Sequence, residues 1–316
     1  MEPNSGFRPL IMTSAERAEE LEKARPTLMG LAFRLLGSRE EAEDAVQDTA
    51  YKWLFDEGPF PREPRAWLTK VCTNRCIDIL RSPRRLRTDY VGPWLPDVFE
   101  TGEVDNVEAR AEIASSLSVA FLLLLERLTP RERAAYLLHE VFDFKHDEVS
   151  KMLEISTENS RKLTSRAKQM VAKEGVRFIP GEERQTQLLS MFKSALETGD
   201  IEEFATALSQ DVELHADSGG RVPAIREILN GHNAVHTFLR KAANVYWSDA
   251  AFELRKANGA LALLVLENGE PHALVSIAIE PDDAVAKIFI QRHPDKLAAY
   301  IRQAAQPDTG GGLLLE

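Results

Sequence analysis

Apolar residues recur at spacings of three and four from Ala15 to Leu80, the pattern of helices that bury one face. Leu28, Leu31, Ala32, Leu35 and Leu36 mark one helix, and Ala42, Ala45, Val46, Thr49, Trp53 and Leu54 mark a second. Gly37-Ser38 stops the first and opens the second, with Glu41 three residues beyond Ser38 as in a capping box. A Gly- and Pro-bearing loop from Asp56 to Pro64 then leads into a third helix. From Ser82 to Asn106 the periodicity is lost and Pro83, Gly92, Pro93, Pro96 and Gly102 gather, which predicts an extended linker over 83–106. A linker of that length in a compact chain is usually functional or mobile. Helical spacing resumes over 107–127, 130–141, 146–153 and 158–173, and Thr129-Pro130 is a strong helix start.

Beyond Gly175 to Gly181 the pattern changes. Helices are predicted over 183–197 and 200–208, then strands over 212–215, 251–255, 260–266, 273–279 and 286–290, with further helices over 233–242 and 294–303. Asn268-Gly269 signals a hairpin and Pro281-Asp282-Asp283 a turn. The expected organisation is an all-α domain (14–82), the linker (83–106), a second all-α domain (107–175), an α+β domain (181–305) and a Gly-rich tail (306–316).

Charge sharpens this division. The 316 residues carry 39 Lys and Arg against 50 Asp and Glu, a net of −11 that argues against a protein coating polyanions through bulk charge. Residues 62–87, however, hold eight bases against two acids, and 151–173 hold six against two, while 38–57 hold seven acids against two bases. Two basic stretches on separate helical domains suit two contacts on one nucleic acid, because Lys and Arg neutralise phosphates and release counterions. The C-terminal domain is acidic, with twenty acids and twelve bases from residue 181 onward. No long apolar run or signal-peptide pattern occurs, so a cytoplasmic protein is expected, without membrane attachment. Cys72 and Cys76 are spaced as neighbours on one helical face and predict core packing rather than a disulfide or metal set. No cofactor or metal is expected.

Residues 142–170 predict a helix, a turn near Ile155-Ser156 and a second helix, a helix-turn-helix whose later helix enters the major groove. On that helix Asn159, Ser160, Arg161, Lys162, Ser165 and Arg166 suit base edges and phosphates, whereas Leu163, Ala167 and Met170 suit a core. The first basic stretch instead interleaves Trp67, Lys70, Asn74, Arg75, Asp78 and Arg81, a set that could hold unpaired bases by stacking and amide hydrogen bonds. Taken alone, Trp53 and Trp67 are expected in the core.

These motifs carry a resemblance. The run from Gly37 through Trp53 and the run Arg65-Ala-Trp-Leu-Thr-Lys-Val-Cys-Thr-Asn-Arg-Cys-Ile-Asp-Ile-Leu-Arg resemble region two of the extracytoplasmic-function (group 4) sigma factors of the sigma-70 family. Leu128-Thr-Pro-Arg-Glu-Arg through Ser165-Arg-Ala-Lys resembles their region four. The resemblance implies that Asp44, Gln47 and Asp48 meet the β′ clamp helices of RNA polymerase core. It places Lys70 and Asn74 on the bases of the promoter minus-ten element, with Arg75 and Arg81 near phosphates. Asn159, Arg161, Lys162, Ser165 and Arg166 would meet the minus-thirty-five element, and the β flap is a further core partner. Such a factor selects and helps open promoters and catalyses nothing itself.

The C-terminal part resembles a SnoaL-like domain of the nuclear-transport-factor-two (NTF2-like) fold, which implies a cone of curved antiparallel sheet wrapped by helices. One sigma subfamily carries such an extension, with a WLPEP-like linker motif, a DGGGR-like motif and an NPDKL-like motif. They stand here as Trp94-Leu95-Pro96-Asp97-Val98, Asp217-Ser218-Gly219-Gly220-Arg221 and His293-Pro294-Asp295-Lys296-Leu297. Ser218 departs from glycine, which disfavours a left-handed backbone at that position. The resemblance implies regulation in cis: Trp94, Leu95 and Pro96 are expected to dock among Asp217, Gly219, Gly220, Arg221, Pro294, Asp295 and Lys296.

Two rival readings remain. Cone-fold enzymes offer His215, Asp217, His232 and His236 as acid/base candidates, and the same C-terminal pocket could instead hold an unknown small-molecule ligand. A helix-turn-helix repressor that senses a small molecule would bind duplex DNA without needing the acidic helix or the Trp67-to-Asp78 pattern.

Overall fold

The computed structural model describes residues 13–55, 61–82, 90–99, 116–173, 182–280 and 283–304. The expected tail, the segments 83–89 and 100–115 with Arg84, Arg85 and Arg87, the stretch 174–181 and the turn residues Pro281 and Asp282 lie outside them. The described residues form two compact units. One contains 13–82 and 129–166; the other contains the described residues of 90–128 together with 167–304.

In the first unit α1 (Ser14–Leu36), α2 (Arg39–Phe55) and α3 (Pro64–Arg81) form a bundle. Thr13 and Glu16 make a full capping box at the start of α1, and Gly37, at φ 67°, ends it in the left-handed region. The spacing residues Leu28, Leu31, Leu35, Leu36, Ala42, Ala45 and Val46 are buried, as are Trp53, Cys72 and Cys76. Both cysteines are free thiols. Leu54, assigned to the apolar face by spacing, is instead 37% exposed. Trp53 Nε1 donates to the Arg17 carbonyl at 2.7 Å, and its ring lies 5.3 Å from that of Trp67.

The same unit holds α5 (Pro130–Tyr136), which runs on into a π-helical turn Leu137–Val141, then α6 (His146–Leu153) and the first part of α7 (Thr157–Lys173). Thr129 and Glu132 form the capping box that Thr129-Pro130 predicts. Arg133, 3% exposed, donates Nη1 to the Leu35 carbonyl at 2.5 Å and so fastens α5 to the end of α1.

The second unit includes α4 (Val119–Glu126), α8 (Glu182–Thr198), the short α9 (Glu202–Ala205), α10 (His232–Lys241) with a π turn Ala242–Tyr246, and α11 (Pro294–Ala304). Its six strands are β1 (Leu208–Asp217), β2 (Leu229–Asn230), β3 (Ala251–Ala257), β4 (Ala260–Glu267), β5 (Glu270–Ile279) and β6 (Val285–Gln291). The helix predicted to reach Leu208 stops at Ala205, because the Ala207 carbonyl accepts from Val285 N–H and draws the chain into the sheet.

The strand order is β2-β1-β6-β5-β4-β3, with β1 parallel to β6 and every other pair antiparallel. This corrects the cone implied by resemblance: the sheet is open. Among the described residues its edge strands are β3 and a two-residue β2, which pairs with β1 at Asn230 and Leu229, and no strand joins the two edges into a closed wall. Asn268-Gly269 turns the β4–β5 hairpin with both residues at positive φ, and Asn258-Gly259 does the same between β3 and β4.

Both sheet faces are covered, which is why β4 and β6 read as nearly continuous apolar runs. One face sends Leu214, Val265, Val275, Ile288 and Ile290 against Leu188, Leu189 and Phe192 of α8 and Val235 and Leu239 of α10. The other carries Leu264, Leu274 and Phe289 beneath Val98 of the linker, Leu297 and Tyr300 of α11, and Leu95 and Val119. Phe192→Ala should therefore lower unfolding free energy by about 3–5 kcal/mol. Leu254→Ala, at a position 38% exposed, should stay within about 0.5 kcal/mol. Denaturant melts of the two variants check both values.

Candidate functional site

Three groups of side chains stand out. The first lies on α2, where Asp44, Gln47 and Asp48 are all exposed while Ala45, Val46 and Thr49 between them are buried. Helical geometry makes this separation: three- and four-residue spacing puts the acids on one face and the packing residues on the other. One turn further on, Tyr51 and Phe55 are 67% and 68% exposed, with ring centroids 4.9 Å apart. Sequence reasoning missed this aromatic pair, although two rings four residues apart at the end of an acidic helix were visible. Asp48 also holds Arg75 of α3 at 2.6 Å, so two residues assigned to different partners are joined to each other.

The second group lies on α3 and the helix-turn-helix. Glu154, at φ 54°, caps α6 in the left-handed region and makes the turn before α7. Its carboxylate meets Lys70 at 2.8 Å, and that lysine holds the Glu154 carboxyl below the usual range. One turn along α3, Asn74 Nδ2 donates to the Met152 carbonyl at 3.3 Å. Lys70 and Asn74 are thus both engaged by the end of α6, while Arg81 is exposed at the last turn of α3. Because the Lys70–Glu154 pair is largely solvated, it is a weak contact that salt screens.

On α7, Arg161, Lys162, Ser165 and Arg166 are exposed along one face, and Asn159 is half-buried. Lys162 pairs with Glu158 one turn back at 2.6 Å. Two assignments need correction. Ser160, placed on the DNA-facing side by its chemistry, has no exposed surface and its Oγ lies 3.0 Å from His146 Nδ1. Met170, placed in the core, is 39% exposed. Ser160 follows Asn159 round the helix onto the face that packs against α6, and position on the helix outweighs residue type.

The third group is a clamp within the second unit, where all three short motifs meet. Asp217, at the end of β1, has no exposed surface. Its carboxylate accepts from Tyr90 Oη at 2.6 Å, Leu95 N–H at 3.0 Å, Gly219 N–H at 3.0 Å and Lys296 Nζ at 2.9 Å. Lys296 also donates to the Leu95 carbonyl at 2.5 Å and lies 3.6 Å from Asp97. Its ammonium sits 5.0 Å from the Trp94 ring centroid and 5.7 Å from that of Tyr90, within cation–π range. Burial, then the hydrogen bond to Asp217, raise the Tyr90 phenol well above its ordinary pKa and keep it a donor.

Each anchor comes from a strand end or a helix start. Left-handed backbone falls on Gly219 and Gly220, not on Ser218, so serine is tolerated where resemblance suggested glycine. A Cβ on Gly219 would collide with the His293 ring, and one on Gly220 would come within 2.9 Å of Val91. Arg221 pairs with Asp295 at 3.2 Å on the surface, and Pro294 opens α11 and is exposed. Downstream, Pro96 O accepts from Gln291 Nε2 at 3.4 Å. Asn258 accepts from Phe99 N–H at 3.0 Å and donates to Asp97 O at 3.2 Å. Sequence reasoning missed Tyr90, Gln291 and Asn258; only the Asn-Gly dipeptide at 258–259 carried a signal.

His232 and His236 bring their rings to a centroid distance of 6.0 Å on α10, and each acid/base candidate already has a polar partner. His215 pairs with Glu213 at 2.9 Å, His236 with Glu202 at 3.1 Å, and His232 Nε2 lies 3.1 Å from the Ala205 carbonyl. Among the described residues no three His, Cys, Asp or Glu side chains are grouped to hold a metal, and no described helix is long and apolar enough to cross a membrane.

Comparison with known proteins agrees with the helical part of this description. The family profile "Sigma-70 region 2" matches residues 21–86 and "Sigma-70, region 4" matches 118–171. The chain is 32% identical over 224 residues to "ECF RNA polymerase sigma factor SigJ" of Mycobacterium tuberculosis, covering 70% of this chain and 71% of that protein. It is 25% identical to "Probable ECF RNA polymerase sigma factor SigI" of the same species, over 91% and 95% of the two chains. The crystal structure of the M. tuberculosis extracytoplasmic function sigma factor SigJ superposes with TM-score 0.71 at 28% identity, covering 89% of this chain and 98% of that one.

Asp217→Ala should lower stability by about 3–5 kcal/mol, because it leaves the Lys296 ammonium, the Tyr90 hydroxyl and the Leu95 N–H without their shared acceptor. Arg221→Ala, which removes only an exposed pair, should cost less than about 1 kcal/mol. Thermal and denaturant unfolding of the full chain measure both.

Proposed function

From its membership of the extracytoplasmic-function family of sigma-70 RNA polymerase sigma factors, which this chain shares with its mycobacterial relatives, we propose that it selects and opens promoters under the control of its own C-terminal domain. The acidic face of α2, with Asp44, Gln47 and Asp48, docks on the β′ clamp helices of the core enzyme, and Tyr51 and Phe55 extend that dock with apolar surface. Region four also meets the β flap. On α3, Lys70 and Asn74 read the melted minus-ten element, with Arg75 and Arg81 on phosphates. On α7, Asn159, Arg161, Lys162, Ser165 and Arg166 meet the minus-thirty-five element. No catalysis is assigned to the chain itself.

Two features support a conformational step in this reading. Lys70 and Asn74 are engaged by the end of α6, so capture of a melted strand requires that contact to open. The linker between the two promoter-reading regions is held along Leu95 to Phe99 by the sheet and by Lys296, which limits how far it can extend. The observation that carries cis-regulation is the convergence on Asp217 of Tyr90 and Leu95 from the linker, Gly219 from the glycine motif and Lys296 from the last motif.

Transcription in vitro with core polymerase tests these roles. Asn74→Ala should reduce open-complex formation by about tenfold, the scale of one lost base contact, with core binding retained. Asp48→Ala should weaken core association instead, and the reverse pattern would contradict both assignments. Lys296→Met should change promoter output while leaving core affinity unchanged; identical output would exclude control through the linker.

A further inference from the structure

The second unit contains a cavity of about 450 Å3, within the roughly 300–1,000 Å3 range of small-molecule sites. It opens on the sheet face opposite the linker, since Ala216 and Ile290 line it while the alternating residues Asp217 and Phe289 face the linker side. Phe238 and Trp247 supply aromatic wall, and Tyr246 and Val245, 48% and 61% exposed, stand at its rim. Neither the promoter-reading helices nor the clamp uses this space.

Glu267, His272 and Arg292 supply the acidic and basic side chains of the lining. Arg292 extends from the residue after β6. Its Nη1 donates to the Pro223 carbonyl at 2.6 Å and its Nη2 contacts His272 Nε2, but its Nε is buried without a partner. Among the described residues no carboxylate oxygen lies within 4 Å of this guanidinium. Burial holds the Arg292 pKa below its ordinary value against the opposing pull of the nearby Glu267 carboxylate. His272 Nε2 also lies 3.1 Å from Glu267 Oε1. One ring nitrogen cannot satisfy both neighbours: neutral, it accepts from Arg292; protonated, it donates to Glu267. Burial and then the Arg292 charge lower the His272 pKa and favour the first arrangement.

We propose that this cavity binds a flat hydrophobic carboxylate, its ring system against Phe238, Tyr246 and Trp247 and its carboxylate on Arg292. Arginine presents a planar, charged guanidinium that fits a carboxylate, and Arg292 is the cationic residue lining the cavity. A cationic ligand would meet that charge with repulsion. The site is also joined to the clamp: Arg292 N–H donates to the Asp217 carbonyl at 2.6 Å, so cavity wall and linker anchor share one stretch of backbone. The binding inference does not rest on the promoter reading, because its assay needs neither polymerase nor DNA.

Isothermal titration calorimetry of the full chain with 2-naphthoate and with 2-naphthylmethylamine tests it. The carboxylate should bind saturably and about tenfold or more tighter than the amine. Arg292→Gln should erase that preference by weakening 2-naphthoate about tenfold. Tyr246→Ala, at the exposed rim and remote from the core, should weaken both probes by about threefold, and it keeps the test valid if the arginine variant misfolds. Absence of binding by 2-naphthoate, equal affinity for the two probes, or undiminished binding by a folded Arg292→Gln chain would overturn the proposal.

Discussion

A carboxylate with no exposed surface must be hydrogen-bonded, and Asp217 takes two of its four donors from the linker. The same oxygens that bind the Gly219 amide and the Lys296 ammonium also take the Tyr90 hydroxyl and the Leu95 amide. Removing the linker would strand a buried ion pair, and neutralising the pair would strand the linker. This mutual dependence makes the described stretch of linker, Tyr90 to Phe99, part of the C-terminal unit rather than a free tether.

The apolar contacts reinforce the polar ones. Leu95 packs with Val119, Ala120 and Phe289, and Val98 packs with Ala257, Leu274, Leu297 and Tyr300. Such contacts favour burial but not register. The alternation of main-chain bonds at Leu95, Pro96 and Phe99 with Asp217, Gln291 and Asn258 supplies the register, as a strand partner would. The open sheet leaves this face available for a linker, which a domain without the fused helices would expose to water. On the opposite face, the same β1 and β6 ends carry Ala216 and Arg292 into the cavity.

Local signals were legible in the sequence, and tertiary ones were not. Period-three-to-four spacing located α1 to α3 and α5 to α7, because one-sided burial writes itself into every turn. The motif triplet pointed to Trp94 to Pro96, Asp217 to Arg221 and Lys296, since each motif is a short run of unusual residues. Sheet closure was misjudged because strand spacing does not report which edges pair, and the two-residue β2 is too short to leave a periodic trace. Ser160 and Met170 were exchanged between surface and core because side-chain chemistry was weighed above helical position. Tyr90, Gln291 and Asn258 escaped notice because each is an ordinary residue whose role comes from partners more than a hundred positions away.

The central claim is that Asp217 holds the linker in the chain as it exists in solution. Residue-resolved hydrogen exchange measures this directly, because the Leu95 amide donates to the Asp217 carboxylate and the Phe99 amide to the Asn258 side-chain carbonyl. The account predicts that both exchange on the timescale of the β5 and β6 amides, and that Lys296→Met selectively accelerates Leu95. Exchange of Leu95 and Phe99 at the rate of unstructured chain, with the sheet still protected, would contradict it.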